Sequence, residues 1–548
     1  MLGMMMNSPL LVSSILRHAA AYHGETQIVS RSVEGQIHRY AYADLGRRSQ
    51  KLANALRRLG LQFGDRVGTL AWNGYRHLEL YYGVSGSGLV CHTINPRLFR
   101  EQIGYIVEHA GDSVIFADPG FLPILEALAD RLAGMKTIVV MTDAAHMPAS
   151  EKLPNLLCYE TLIAQEADDF EWPVFDENTA CGLCYTSGTT GAPKGVLYSH
   201  RSTVLHAMAI AMPDVLGLSA SDTVLPVVPM FHVNAWGLPF AAPMVGAKLV
   251  MPGPNLDGAS LHALFEDEGV TFTAGVPTVW LGLLDWMNSQ HKRFSTLKRV
   301  AIGGSAVPPV MIRRFQELGV TVRHAWGMTE TSPVGLVATL LPKHQSLPAE
   351  QKLALESKQG RPIFGVELRI DDAEGKPVAR DGEAFGALLV RGPWIADGYY
   401  NAPESPAHAG GWFETGDVVT MDEDGFVRIV DRTKDVVKSG GEWISSIELE
   451  NIAQAHPAIR EAAVVAVADA RWGERPVLVA VLKPGQAFGR QDMLDLYAGK
   501  VSKWSIPDDV IVVDELPHTA TGKLLKTEIR RIVLDEYARR SGDKADAG

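Results

Sequence analysis

Short apolar runs that end on a polar or glycine residue recur along most of this chain, separated by stretches with helical spacing. "DRVGTLAWNG", "DSVIFAD" and "KTIVVMTD" are followed by "DTVLPVVPMFH", "AKLVMPG", "VTFTAGVP", "KRVAIGGSAVP" and "VTVRHAWGMTE". Among them, "YADLGRRSQKLANALRRLGL" repeats its apolar residues with the period of a helix. Strands alternating with helices over such a length predict stacked α/β layers with largely parallel sheets. In open sheets of that kind, ligands gather at the strand ends, where these runs carry their polar and glycine residues.

The 548 residues are too many for one compact core, so two or more domains are expected. The pattern changes after residue 360, where "RPIFGVELRIDDAEGKPVARDGEAFGALLVRGPWIADGYY" is strand-like and rich in turns. It predicts a β-barrel-like part at the end of a large N-terminal domain, residues 1–431. The charged connector Asp431-Arg432-Thr433-Lys434-Asp435 is the expected boundary. Beyond it, strand-like "EAAVVAVAD" and "PVLVAVLKPG" and helix-like "IRRIVLDEYARR" predict a small α+β domain, residues 432–548.

Hydrophobic residues make up 46% of the chain and charged residues 21%, the balance of an ordinary globular protein. The formal charge of -12 argues against nucleic acid as a partner. An anionic ligand must then be met by local basic groups. The amino terminus does not read as a signal peptide, and no apolar run reaches the ~18 residues of a spanning helix. A cytoplasmic protein without a transmembrane segment is expected. Cys181 and Cys184 form a C-x-x-C, but no second pair at zinc spacing follows, so buried core thiols are expected.

"YTSGTTGAPKGV", residues 185–196, concentrates glycine, hydroxyls and a lysine, as a phosphate-holding nest does. It is not a Walker loop, because Lys194 follows Pro193. Gly188 and Gly191 allow close backbone approach to an anion. Thr186, Ser187, Thr189 and Thr190 supply donors, and Lys194 supplies the charge.

With "WGMTE" (326–330), "WFETGDV" (412–418), "DRTKD" (431–435), "KSGGEWIS" (438–445) and "TATGKLLK" (519–526), this loop resembles the ordered signatures of the AMP-forming acyl-CoA synthetases. "TINPRL" (93–98) is compatible with that family. The resemblance implies conversion of a carboxylate and ATP to acyl-AMP and pyrophosphate, then acyl transfer to CoA. It implies ATP, Mg2+ and CoA as reagents, and a small domain that rotates between the two steps.

By the same resemblance, Lys523 is the catalytic lysine that contacts carboxylate and α-phosphate, and His232 is an active-site histidine. Two anions must be brought together for this reaction, and a cation offsets their repulsion. Glu330 and Thr186 look like the magnesium ligands. ATP would be met by the loop residues Thr186 to Gly191 with Lys194, by Gly303, Gly304 and Ser305 of "GGSAVP", and by His324, Ala325, Trp326, Gly327, Met328 and Thr329. Asp417 and Arg432 would serve the ribose or a phosphate, and Lys434 matches the pivot. CoA would pass Lys438, Gly440, Gly441, Glu442 and Trp443.

"MFHVNAWGLPF" (230–240) is expected to line an acyl pocket with His232, Val233, Trp236 and Gly303. Val233, Ala235, Gly237, Val276 and Pro277 are apolar or small and carry no guanidinium for a second carboxylate. A neutral aliphatic or thioether acid is therefore expected over a dicarboxylate. The whole chain resembles the bacterial medium-chain fatty acyl-CoA synthetases and the methylmercaptopropionate–CoA ligases, and that resemblance implies a short-to-medium acid, either a medium-chain fatty acid or 3-methylmercaptopropionate. Loading of a carrier-protein thiol is the alternative, and a homodimer is what such synthetases imply.

Overall fold

The computed structural model describes every residue except 2, 154, 187–191, 373, 403, 441, 519–523 and 546–548, and the side chains of 442 and 541–545. Two compact units result. The first comprises Met1–Gly188, Ala192–Glu367 and Arg391–Phe413; Leu368–Val390 and Glu414–Gly548 account for most of the second.

The first unit holds two large sheets. In the seven-stranded one, Arg66–Leu70 lies between Val90–Thr93 and Asp112–Ala117, all parallel. At one edge Ala180–Tyr185 turns back antiparallel into Gly195–Ser199. In the nine-stranded sheet, Thr223–Pro226, Phe272–Gly275, Arg299–Ile302 and Thr321–Gly327 run parallel in that order. The expected strands fall inside the apolar runs that predicted them. Phe272–Gly275 is buried at every position, which is why its run does not alternate apolar with charged residues.

Helices cover the sheets. Tyr42–Arg58 buries Leu45, Leu52 and Leu56 and carries Arg57 and Arg58 in its last turn, where cations complement the helix dipole. Gly258–Glu268, Pro277–Ser289 and Pro309–Glu317 seat Phe265, Trp280 and Phe315 against Val300, Ile302 and Val322 in one core.

The turn-rich stretch expected as barrel-like is a four-stranded sheet, in the order Glu367–Asp371, Phe385–Arg391, Phe413–Met421, Val427–Arg432. Beyond it, Ile459–Asp469 pairs antiparallel with Gly473–Leu482. Ala462, Val464, Leu478 and Ala480 meet Leu449, Met493 and Tyr497 on one face. Ala463, Val465, Val477 and Val479 meet Ile529 and Val533 on the other. Successive side chains of a strand alternate faces, so helices on both sides account for "EAAVVAVAD" being apolar throughout. No helix among the described residues is long and apolar enough to cross a membrane.

One buried ion pair ties three helices of the first unit. Arg48 Nε lies 2.7 Å from Glu79 Oε1, and Tyr159 donates to Glu79 Oε2 at 2.6 Å. The Glu79 side chain is wholly inaccessible. Arg48→Met leaves that carboxylate without its cation, and removal of one partner of a buried pair costs about 3–5 kcal/mol. The expected outcome is a lower denaturant midpoint for the transition of the first unit, measured by tryptophan fluorescence.

Candidate functional site

The phosphate-type loop closes the antiparallel edge hairpin of the seven-stranded sheet. Its stem is pinched by two bonds: Thr186 N donates to the Lys194 carbonyl at 2.9 Å, and Lys194 N donates to Thr186 Oγ1 at 3.2 Å. Ser187, Gly188, Thr189, Thr190 and Gly191 lie outside the described residues.

The stem is joined to the segment that carries Glu330. Buried Tyr198, on the return strand, donates to the Thr329 carbonyl at 2.7 Å. Glu330 sits on the short turn Thr329–Thr331 and is only 6% exposed, so it is not a surface cap. Its Oε1 accepts a 2.8 Å bond from the Tyr399 hydroxyl, whose ring centroid lies 4.7 Å from Lys194 Nζ. Thus Thr186, Lys194 and Glu330, far apart in sequence, belong to one connected patch. Carboxylate and hydroxyl oxygens are the donor chemistry that a hard Mg2+ ion takes beside phosphates.

Gly303 joins two further segments. A Cβ there would meet the Ala325 carbonyl at 2.5 Å and the Trp236 ring at 3.2 Å, so no side chain fits. Gly304 has φ +82° and sits beside Val276, while Gly304 and Ser305 are exposed. Gly327 is equally constrained, since a Cβ would fall on the Pro333 carbonyl. The Trp326 indole lies over Gly335 and is 6% exposed. Burial pulls the His324 imidazole down to about 4, so the ring is neutral near pH 7. Met328 N donates to Thr331 Oγ1 at 2.8 Å, fixing the start of the Glu330 turn.

His232 is half-buried and opens an unusual turn. Val233, Asn234, Ala235 and Trp236 all have positive φ, between 46° and 57°. Tyr81 holds this turn with bonds to the Met230 carbonyl at 2.5 Å and to Asn234 Oδ1 at 3.1 Å. Arg97, from "TINPRL", places its guanidinium 5.9 Å from the Phe231 ring centroid and 5.7 Å from that of Trp72. The apolar string around His232 gave no sign of this cation.

Cys181 and Cys184 are both buried, and they stand three positions apart on a strand, an odd offset that directs them to opposite faces. Cys181 Sγ lies 3.2 Å from Thr203 Oγ1, and Cys184 Sγ 3.0 Å from Thr93 Oγ1. Burial pushes the thiols up to about 12 and about 11, which leaves them protonated.

Within the second unit, Asp417 and Arg432 stand directly opposite each other across a strand pair. Arg432 Nε lies 2.6 Å from Asp417 Oδ1; the carboxylate is fully buried while the arginine is partly exposed. The Lys434 carbonyl and the Asp435 carboxylate both accept from Arg530, at 2.9 and 2.8 Å. Lys434 is exposed, although neighbouring burial lowers its ammonium from the usual range. Lys438 pairs with Trp443 across the hairpin of Val437–Ser439 and Glu442–Ile444. Gly440, at φ +62°, packs on Trp472. Gly441, Lys523 and the Glu442 side chain lie outside the described residues.

The model of the AMP-binding enzymes matches residues 16–400, and that of the AMP-binding enzyme C-terminal domain matches 448–523. The chain belongs to the AMP-binding enzymes. It is 52% identical to a 3-methylmercaptopropionyl-CoA ligase of Ruegeria lacuscaerulensis over 97% of this chain and 98% of that one. It is also 52% identical to a medium-chain-fatty-acid–CoA ligase of Ectopseudomonas oleovorans over 99% of both. A solved anthranilate CoA ligase in complex with anthranoyl-AMP superposes with a TM-score of 0.84 at 26% identity, covering 97% of this chain and 99% of its own. This AMP-binding enzyme is an ATP-dependent acyl-CoA ligase that uses ATP, Mg2+ and CoA.

Tyr399 and Arg97 are the site neighbours that sequence reasoning missed. Gly303 offers the sharpest check on the first unit's geometry. Gly303→Ala forces either the Ala325 strand or Trp236 to move, and misplacement near 1 Å costs about 10²-fold in a positioned reaction. A loss of about that size in kcat/KM for acyl-CoA formation, together with a lowered thermal midpoint from the overpacking, is the expected outcome.

Proposed function

We propose that this AMP-binding enzyme ligates a short-to-medium-chain aliphatic or thioether acid to CoA, with a medium-chain fatty acid or 3-methylmercaptopropionate as the acid. The observation that carries this reading is the junction at Gly303. One glycine touches both the strand leading to Trp326 and Glu330 and the apolar turn of Trp236. A nucleotide bound along the first and an acyl group bound along the second would meet there. The pocket side is Val233, Trp236 and Val276, all apolar. The two relatives of equal identity are named for different acids. One methylene is worth only about 1–3 kcal/mol of discrimination, so overall similarity does not choose between them.

In the first step the acid's carboxylate oxygen attacks the α-phosphorus of ATP, and pyrophosphate leaves. In the second the CoA sulfur attacks the acyl carbon, and AMP leaves. Lys194 and the Thr186 loop hold the phosphates, while Asp417 and Arg432 serve the ribose. Lys523 neutralises charge between carboxylate and α-phosphate, and His232 stands at the acyl end. Magnesium would be held by Glu330 and Thr186 and would supply charge neutralisation at the triphosphate. Lys434 is the pivot that exchanges the Lys523 loop for the hairpin of Lys438, Gly440 and Trp443, beside which CoA passes. A hinge of this kind needs only a few residues able to absorb a φ/ψ change. The Arg530 bonds fix the hinge's trailing side to the helix Lys526–Ala545. We place the enzyme in the cytoplasm, where ATP and CoA are both supplied, as a homodimer.

The first test is AMP release and CoA-thioester formation across C2 to C14 acids and 3-methylmercaptopropionate. An optimum within the short-to-medium acids is expected. AMP release without a CoA product would instead point to a carrier-protein thiol.

The division of labour is tested by Lys523→Ala. Adenylation is expected to slow about 10²–10³-fold, the usual loss for one preorganised charge-stabilising donor. Acyl transfer to CoA from supplied acyl-AMP should change far less. Equal losses in both half-reactions would refute the alternating assignment.

A further inference from the structure

We propose that Tyr399 is a positioning residue that couples the phosphate-loop lysine Lys194 to the metal-binding carboxylate Glu330. The proposal rests on the roles given above to those two residues.

Tyr399 contacts the two groups with different parts of one side chain. Its hydroxyl donates to Glu330 Oε1 at 2.8 Å, and the face of its ring carries the Lys194 ammonium 4.7 Å from the centroid. A donor bonded to a carboxylate shifts electron density into its own ring, which strengthens the attraction of that ring for a cation. Each contact therefore supports the other. A direct Lys194–Glu330 ion pair would instead cancel both charges, at the place where anionic phosphates and a divalent cation have to be met.

The tyrosine is itself fixed. His408 packs edge-on against its ring, with centroids 5.1 Å apart. Ala396 N donates to the Glu330 carbonyl at 2.8 Å, so this segment grips Glu330 by backbone and side chain. Tyr400 N donates to the Gly195 carbonyl at 2.8 Å, beside Lys194, and the Tyr400 hydroxyl reaches the Ala110 carbonyl at 3.3 Å. The other strand of the stem is held by the Tyr185 hydroxyl, 2.7 Å from His109 Nδ1. Residues 396–400 thus form a strap across the loop's stem and the Glu330 turn, and Tyr399 is the point where the strap touches both functional charges.

The test measures adenylation against Mg2+ and ATP concentration for the full chain and for Tyr399→Phe, Tyr399→Leu and Glu330→Gln. Acyl transfer to CoA from supplied acyl-AMP is measured alongside. Tyr399→Phe keeps the ring and loses the hydrogen bond to a charged partner. It should raise the Mg2+ concentration for half-maximal rate about tenfold and leave the KM for the acid unchanged. Tyr399→Leu loses the cation–ring contact as well and should add an increase of about threefold in the KM for ATP. Acyl transfer should stay within about twofold in both variants, since neither contact serves the second step.

If Glu330→Gln shifts the Mg2+ dependence and Tyr399→Phe does not, the coupling is refuted while the roles of Glu330 and Lys194 survive. An unshifted Glu330→Gln refutes the metal assignment and the coupling with it. Equal losses in both half-reactions, together with a lowered thermal midpoint, would make Tyr399 a fold residue only and overturn the proposal.

Discussion

The candidate site residues of the first unit depend on one buried hydrogen bond, from the Tyr198 hydroxyl to the Thr329 carbonyl. Tyr198 belongs to the edge hairpin of the seven-stranded sheet; Thr329 follows a strand of the nine-stranded one. Two separately hydrogen-bonded sheets have no ladder in common, so isolated bonds between their ends, such as Gly253 N to the Asn73 carbonyl at 3.0 Å, must set the distance. A buried donor left without its partner costs about 1–3 kcal/mol, which makes this register hard to lose. Asn73 does similar work nearby. It donates to the carbonyls of Pro226 and Val228 and accepts from Met230 N at 2.6 Å, tying the start of a helix in one layer to the strand end of the other. The phosphate-loop stem, the Glu330 turn and the acyl-side turn are therefore positioned by polar groups that bridge layers.

Much of this fold is legible in the sequence because burial on both faces leaves a strong signature. "IVV" of "KTIVVMTD" and "FTAG" of "VTFTAGVP" read as buried strands because helix-like stretches flank them on either side. The helix Tyr42–Arg58 was readable from period alone, since one of its faces meets water. The turn between Ala180–Tyr185 and Gly195–Ser199 was readable for a different reason: glycine and hydroxyl residues crowded between two apolar runs mark a break between strands.

Tyr399 and Arg97 were not legible, for a shared physical reason. "GYYNAP" reads as an ordinary turn, and nothing local distinguishes a tyrosine that will stand beside Lys194 from one that faces water. The relation between Tyr399 and Glu330 exists only after the chain has returned across the sheet. Similarly, "HVNAWG" carries no glycine at the four positions with positive φ, where propensity would have demanded one. Tertiary contacts from Tyr81 and Cys184 to Asn234 hold that turn.

That left-handed turn has consequences for specificity. Each non-glycine residue held there costs about 1–2 kcal/mol. Four together approach the ~5–15 kcal/mol that separates folded from unfolded domains. Such a conformation persists only where its surroundings over-determine it, and such places cluster at functional sites. Here Tyr81 meets Asn234 Oδ1, Cys184 Sγ lies 3.6 Å from the same oxygen, and Ala235 N donates to the Pro229 carbonyl at 3.2 Å. The turn presents His232 at its start and Trp236 at its end from one rigid piece of backbone, with Gly303 packed on the indole. An enzyme that must bring a carboxylate to a phosphate gains from fixing the polar end of its acid and the wall behind it in one frame. The strain is the cost of that frame. Under the acyl-pocket assignment proposed above, a change of acyl specificity is easier to reach by substituting the residues around Trp236 than by remodelling the turn that carries it.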